Sequence, residues 1–404
     1  MNAPGYRLVD SDMHYYEPDD CFTRHLESRY AHRALTVEKG QDGLGRVYFC
    51  GERVRYFSVT ATDFTTAPGS LRGYLDDGEG RPVMEEQAIS PGATHPEWVG
   101  DRTARLTQMD EQGVEAAIML PTLGVSVEYE LNRDLEAGYA ALRAFNRWVE
   151  EDWGLGGDGR IFGAAMLSLT DRDQAIRELE RVIAAGARFF YLRAGPVPAG
   201  TPGRYRSPAD PYYDAFWARA AEAGVMCILH IGNAGYADLF SKYWGEKGDV
   251  PSHRLTAFQH TLFQFDRSVC DVLAAMVLQN LFGRHPGLRV LSIENGSAWV
   301  SYLLKRMDKA QRAQWRVDSI GGKLEGKPSD IFRQHVWVCP FYEDDVLGLV
   351  DELGAGRVLL GSDYPHPEGV VAPRDFLHKL EGLPEKDVRL VARSNAAALL
   401  GLAA

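Results

Sequence analysis

Residues 6–14 read YRLVDSDMH, a short apolar run that closes on Asp12-Met13-His14. Seven further runs of the same kind follow: VEAAIMLP (114–121), IFGAAMLSL (161–169), ARFFYLR (187–193), VMCILHIG (225–232), LRVLSIE (288–294), HVWVCP (335–340) and RVLLGSD (357–363). Each is short, β-branched or aromatic and almost continuously apolar, the pattern of a parallel strand covered on both faces. Between them lie stretches such as RDQAIRELERVIAAG (172–186) and YYDAFWARAAEAG (212–224), apolar at spacings of three and four and ending in Gly, as amphipathic helices do. Eight strands alternating with helices predict an α/β fold, a closed (β/α)8 TIM barrel. Periodicity does not reveal closure, so an open doubly wound sheet fits the same pattern.

Two stretches break the rhythm. Residues 19–100 separate the first strand from the helical segment RTARLTQMDEQG (102–113), and they carry many Gly, Pro and aromatic residues with short alternating pieces. We read them as an inserted lid or subdomain with some β structure. Residues 232–262 form a second insertion after the fifth strand. Loops that follow barrel strands lie on the active-site face, so both insertions are expected to roof the site. A third irregular stretch, about 309–334, reads as surface. The whole chain, 1–404, is otherwise read as one barrel domain.

Composition narrows the class. Of the 404 residues 45% are hydrophobic and 25% charged, enough to bury a core and unlike a disordered chain. The net charge of −12 and the lack of a Lys/Arg cluster speak against a nucleic-acid partner. No apolar run approaches the ~20 residues that span a bilayer, and the start carries no basic segment followed by an apolar one. The expectation is a soluble cytoplasmic protein without a membrane partner. Five widely spaced cysteines with no CxxC form neither a disulfide framework nor a zinc knuckle. There is no GxSxG elbow, Walker lysine or GxGxxG after a strand, which disfavours serine hydrolases, ATPases and dinucleotide enzymes.

The chemistry lies where the strands end. Asp12 and His14 close the first strand, Arg193 the fourth, His230 the fifth, Glu294 the sixth and Asp363 the eighth, all at the C-terminal face where barrel sites are built. Asp12 and His14 are two apart, so on an extended strand both side chains point the same way. Such a pair can grip one divalent ion, zinc, iron or manganese. An Asp at one strand end is commonly a turn or helix cap, and a lone His after an apolar run is commonly packed core. Four such residues at corresponding strand ends outweigh that reading. Arg193 is a candidate fork for a substrate carboxylate, His260 a proton donor from the second insertion, and His366 a group that orients a ligand by hydrogen bonding. Trp299 is a candidate pocket wall, with packing as its alternative, and Glu294 has the alternative of capping the helix that follows it.

VDSDMHYYEP, LRAGPVP, ILHIG, RHPGLRVLSIENGSAWV and LLGSDYPHPEG occur in that order. They resemble the motifs of the amidohydrolase-related group that includes aminocarboxymuconate semialdehyde decarboxylase. The resemblance covers nearly the whole chain outside the insertions, and its first and last motifs are the most specific. It implies a barrel with a divalent metal, Asp12 and His14 as the paired strand-one ligands, His230 as the strand-five ligand, and Asp363 as ligand, base or both. Two positions depart from the pattern: Glu294 stands where decarboxylase members commonly have His, and Asp12 where many have His. Both make the site harder and more anionic, which shifts preference from zinc toward iron or manganese. They also allow one or two ions per chain, with Glu17 or Glu294 as an extra ligand.

Three readings of activity follow. A metal-activated water attacks an ester, thioester, lactone or amide of a small organic acid, with Asp363 shuttling the proton. Alternatively the enzyme decarboxylates an aromatic or unsaturated acid, or the barrel binds a ligand without catalysis. A further carboxylate at Glu294 would repel an anionic acid unless protonated or metal-bound, so the sequence leans to hydrolysis. A homodimer is compatible with such a barrel, though no residue demonstrates it.

Overall fold

In the computed structural model, residues 5–77, 89–200, 203–248, 250–263, 266–313 and 319–403 are described. Parts of the first insertion (78–88) and of the stretch at 309–334 (314–318) lie outside them. β1 (Leu8–Tyr15) pairs in parallel with β2 (Val114–Pro121), and β2 with β3, which is interrupted at Ala164 (Ile161–Gly163 and Ala165–Met166). From there the parallel order runs through β4 (Phe189–Arg193), β5 (Met226–His230), β6 (Val290–Ile293) and β7 (Val336–Val338). All five positions of β4 and of β5 are buried, as strands between a filled barrel interior and a ring of helices must be.

The eighth run closes the ring without a regular ladder. It bridges β7 at Val338–Val358 and β1 at Met13–Tyr364, and Ser11 N donates to Leu360 O at 2.9 Å. Closure decides for the barrel over the open sheet. The irregularity has a local cause. Asp10 Oδ1 accepts from Asp12 N at 3.0 Å and from Ser362 N at 3.1 Å, taking two amides that a continuous ladder would have used. β1 also shifts register against β2 between Asp10 and Met13, and such a bulge re-aims the side chains that follow it. Gly361 lets the two segments touch: a Cβ there would sit 2.7 Å from Asp12 Cβ and 2.2 Å from Cys339 Sγ.

Helix ends follow the sequence signals. Asp101 caps Arg102–Gln112 by accepting from Ala104 N at 2.7 Å, and Gly113 ends that helix at φ 72°. Gly224 ends Asp214–Ala223 in the same left-handed conformation, where a Cβ would be strained. The stretch at 309–334, expected to be irregular, begins inside the helix Trp299–Arg312 and ends inside Pro328–His335.

The first insertion carries a small antiparallel sheet, Leu35–Lys39, Gly45–Phe49 and Glu52–Arg53. It is tied to the ends of β1 and the eighth run: Val99 O accepts from Tyr16 N at 3.1 Å, and Leu71 N donates to Pro367 O at 2.9 Å. The second insertion contains short helices at Tyr236–Phe240 and Ala257–Phe263. Ser252 N donates to Tyr56 O at 3.0 Å, joining the two insertions. Among the described residues no helix is long and apolar enough to cross a membrane.

Candidate metal centre

β1, β5 and β6 deliver four buried side chains to one point. One ligand atom from each of Asp12, His14, His230 and Glu294 lies within 4.8 Å of the others. His230 Nε2 is 2.9 Å from Glu294 Oε2 and 3.6 Å from Asp12 Oδ1, and His14 Nε2 is 3.2 Å from Asp12 Oδ1 and 3.3 Å from Glu294 Oε2. Those four atoms, Asp12 Oδ1, His14 Nε2, His230 Nε2 and Glu294 Oε2, are buried and make no hydrogen bond. Buried polar atoms left without partners are costly and call for an explanation. A divalent cation satisfies all four at once, and two imidazoles with two carboxylates suit zinc, iron or manganese.

The supporting contacts orient these groups. His14 Nδ1 lies 3.1 Å from Pro121 O and His230 Nδ1 lies 2.7 Å from Ile231 O, so each ring spends its other nitrogen on a backbone carbonyl and turns Nε2 inward. Glu294 and Asp363 have φ of 52° and 53°, a left-handed conformation that non-glycine residues adopt at a cost and that gathers at functional positions. Burial opposes charge on His230, but the Glu294 and Asp12 carboxylates beside it hold its pKa well above the ordinary value. Burial likewise opposes the charge on Glu294, and His230 and His14 outweigh it and keep that carboxyl below the usual range.

Asp363 and His366 form a second group with His14 and Glu294. Asp363 Oδ1 is 3.5 Å from His14 Nε2 and 2.6 Å from His366 Nδ1. The His366 ring stands against that of His14, centroids 4.1 Å apart. Burial, Glu294 and Glu368 push the Asp363 carboxyl well above the usual range, against the pull of His366. Burial works against charge on His366 as well, yet Asp363 raises it to about 10.

Four expected site residues go elsewhere. Glu17 accepts from Leu123 N at 2.9 Å and Gly124 N at 2.9 Å, capping the helix Gly124–Leu131, and it belongs to neither group of converging ligand atoms. Arg193 donates to Ala234 O and Pro196 O, each at 2.7 Å, with Glu128 4.0 Å away. Two of its guanidinium nitrogens are thus engaged by loop carbonyls, while its buried Nε makes no hydrogen bond. Trp299 is buried in the helical layer and donates to Gly296 O at 3.0 Å, the contacts of a packed side chain. His260 lies on the helix Ala257–Phe263, exposed, and belongs to neither converging group.

Three residues not singled out in the sequence prove structurally important. Thr122, just past β2, lies 3.0 Å from His366 Nε2 and donates to Tyr15 O at 2.8 Å. Asp10 shapes the bulge described above. Arg105 is fully buried, donates to His14 O at 2.8 Å and to Trp98 O at 2.8 Å, and lies over the rings of Trp98, Trp153 and Tyr364. The only sequence signal for these was a charged or hydroxyl residue beside a strand end or on a helix of mixed polarity.

The sequence profile described as amidohydrolase matches residues 93–402. A crystal structure of an amidohydrolase from Mycobacterium avium subsp. paratuberculosis is 36% identical, with a TM-score of 0.87 over 99% of this chain and 100% of that one. A dihydroxybenzoic acid decarboxylase from Polaromonas sp. JS666, solved with bound manganese and 2-nitroresorcinol, is 16% identical with a TM-score of 0.61, covering 98% of this chain and 97% of its own. The 2-amino-3-carboxymuconate-6-semialdehyde decarboxylase of Dictyostelium discoideum is 20% identical over 60% of this chain and 62% of its own length, so the match spans under two thirds of that relative. With the barrel closed, His and carboxylate side chains gathered at its C-terminal face, and the profile running through most of the chain, the protein belongs to the amidohydrolase family.

Proposed function

We propose that the chain is a metal-dependent, non-oxidative decarboxylase of a small aromatic or unsaturated carboxylic acid. The observation that carries this reading is the Asp363–His366 pair at 2.6 Å beside the ligand cluster. Acyl hydrolysis needs Asp363 empty, as the base that takes a proton from water. Buried and next to Glu294, its carboxyl is instead raised well above the usual range, and His366 is raised to about 10. An oxygen and a ring nitrogen 2.6 Å apart share a proton between them, and in this reading that proton is the one donated. Decarboxylation uses such a donor: the bond to the carboxyl carbon breaks, its electron pair passes to the ring or vinyl carbon, and the proton adds there as carbon dioxide leaves.

The repulsion by Glu294 that favoured hydrolysis loses its force in this arrangement. Glu294 Oε2 is one of the four converging atoms, so its charge is used in holding the ion. When bound, a divalent cation supplies positive charge that attracts the acid and stabilises negative charge developing in the transition state. Asp12 and Glu294 beside two imidazoles favour manganese or iron over zinc. The decarboxylases named among the similar proteins support the reading, and manganese in one of them supports the metal. The two insertions, in this reading, cover the site and keep water from the protonated pair.

The test uses the full chain loaded in turn with Mn2+, Fe2+ and Zn2+, offered carboxyl-13C hydroxybenzoates in parallel with aryl esters, thioesters and lactones. Release of 13CO2 with at least one ion is the expected result. Acid release from the acyl compounds without any 13CO2 overturns the proposal in favour of hydrolysis.

A further inference from the structure

Asp10 is fully buried on β1 and belongs to neither converging group of ligand atoms. Its Oδ1 nevertheless holds both halves of the site by their main chain. It accepts from Asp12 N at 3.0 Å, the amide of a candidate ligand, and from Ser362 N at 3.1 Å, the amide one residue before Asp363. Asp12 O closes the circuit, accepting from Asp363 N at 2.9 Å and from Ser362 Oγ at 3.3 Å. The backbone that carries Asp12 is thus tied to the backbone that carries Asp363 through one side chain.

The neighbouring contacts tighten this tie. The two segments touch at Gly361, where a Cβ would lie 2.7 Å from Asp12 Cβ. Tyr364 N donates to Ser362 Oγ at 3.1 Å, and His14 N to Tyr364 O at 2.8 Å, which extends the link to the next ligand on β1. Asp363 is held at φ 53°, a conformation that a non-glycine residue keeps where its surroundings impose it. Without the Asp10 carboxylate two buried amides lose their acceptor, which is costly unless the chain turns to find another. A turn at either amide moves Asp12 or Asp363, and a shift of ~1 Å in a catalytic group can cost ~100-fold in rate. We propose that Asp10 is a positioning residue whose Oδ1 sets the separation between Asp12 and the Asp363–His366 pair, so that metal binding and proton placement are fixed together. The part that concerns Asp363–His366 rests on the decarboxylase reading, and the part that concerns Asp12 does not.

Three variants of the full chain separate the two bonds. Asp10→Asn keeps an oxygen that can accept from both amides. Asp10→Ser keeps a bond to the amide two residues on, as serine does in turns, but its side chain is one bond too short to hold Ser362 N as well. Asp10→Ala keeps neither. Each is measured for Mn2+ affinity by calorimetry, for the electron paramagnetic resonance spectrum of bound Mn2+, for 13CO2 release from carboxyl-13C hydroxybenzoates and for urea unfolding. Asp10→Ala is expected to change the spectrum and to weaken Mn2+ binding ~10-fold or more, the usual loss when a partner behind a ligand is removed. Asp10→Ser is expected to keep most of that affinity while turnover falls ~10-fold or more, and Asp10→Asn to restore both. Asp10→Ser also serves where Asp10→Ala does not fold. The proposal is overturned when Asp10→Ala loses urea stability but keeps the wild-type Mn2+ affinity and spectrum, when Asp10→Ser keeps full turnover, or when Asp10→Asn fails as Asp10→Ala does. A wild type that binds Mn2+ and releases no 13CO2 counts against the decarboxylase reading, and Asp10 is then judged on Mn2+ affinity and spectrum.

Discussion

Asp363 Oδ1 and His366 Nδ1 stand 2.6 Å apart at the edge of the ligand cluster. The far side of the imidazole fixes what passes between them. Thr122 has one hydroxyl proton and donates it to Tyr15 O at 2.8 Å, so towards His366 Nε2, 3.0 Å away, its oxygen accepts. Nε2 therefore carries a hydrogen, and the second proton of the system lies between Nδ1 and Oδ1. The tautomer is set by a threonine far from Asp363 in sequence.

His366→Gln removes this proton store and leaves Asp12, His14, His230 and Glu294 in place. Turnover is expected to fall by ~10^2 to 10^4, the usual worth of a positioned acid, with metal stoichiometry unchanged. Thr122→Val should act in the same direction by a smaller factor, because it frees the ring without deleting it. Steady-state rates and metal analysis on the same preparations check both. Full turnover in His366→Gln would falsify the proton-donor role.

Metal binding should be visible as proton release. Burial disfavours charge on His230, yet Glu294 and Asp12 hold it well above its ordinary pKa, so the metal-free site keeps a proton there at neutral pH. An ion that takes Nε2 must displace it. Titration of the metal-free protein in two buffers of different ionisation enthalpy should give about one proton released per ion. Glu294→Gln, which removes the strongest partner of that proton, should release less and bind the ion more weakly.

Arg105 makes a prediction of a different kind. It is a fully buried cation with no carboxylate partner among its hydrogen bonds, held by Trp98 O and three rings while donating to His14 O. Arg105→Met leaves the carbonyls of His14 and Trp98 unsatisfied, at ~1–3 kcal/mol each. The loss of stability should be joined by weaker metal binding, since the carbonyl it frees belongs to a candidate ligand. Arg105→Lys should recover part of both, because an ammonium can donate to one of the two carbonyls but lacks the planar fork. Urea unfolding and metal titration separate the effects, and an unchanged metal affinity in a folded Arg105→Met protein counts against any link to the site.

These residues also show what sequence could and could not disclose. Asp12, His14, His230, Glu294 and Asp363 were legible because strand periodicity puts strand-end side chains on the active face. Glu17 and Arg193 stood at equally suggestive positions, but their partners are Leu123 N and Ala234 O, distant groups whose approach no local pattern encodes. Arg105 read as one more charge in RTARLTQMDEQG; only the fold reveals that it points inward. The eighth run looked like any other strand, whereas its Ser362 amide is bonded by the side chain of Asp10, which also takes the amide of Asp12 on β1.

Glu17 yields a prediction in stability instead of activity. Burial pushes its carboxyl up to about 7, against the lowering effect of the Leu123 and Gly124 amides. An unfolded glutamate titrates near ~4.3, so between these values the folded chain binds more protons than the unfolded one. Its contribution is then complete below ~pH 4.3 and is lost as pH rises through about 7, with a ceiling on the order of 3 kcal/mol. Glu17→Gln cannot titrate, and its amide oxygen still accepts from one of the two amides. Urea unfolding of the metal-free proteins at pH 5 and pH 7.5 should show the wild type losing more stability than Glu17→Gln over that interval. Parallel pH profiles for the two proteins would mean that the Glu17 carboxyl is not held up by burial, and that it caps the helix at Gly124 as an ordinary carboxylate.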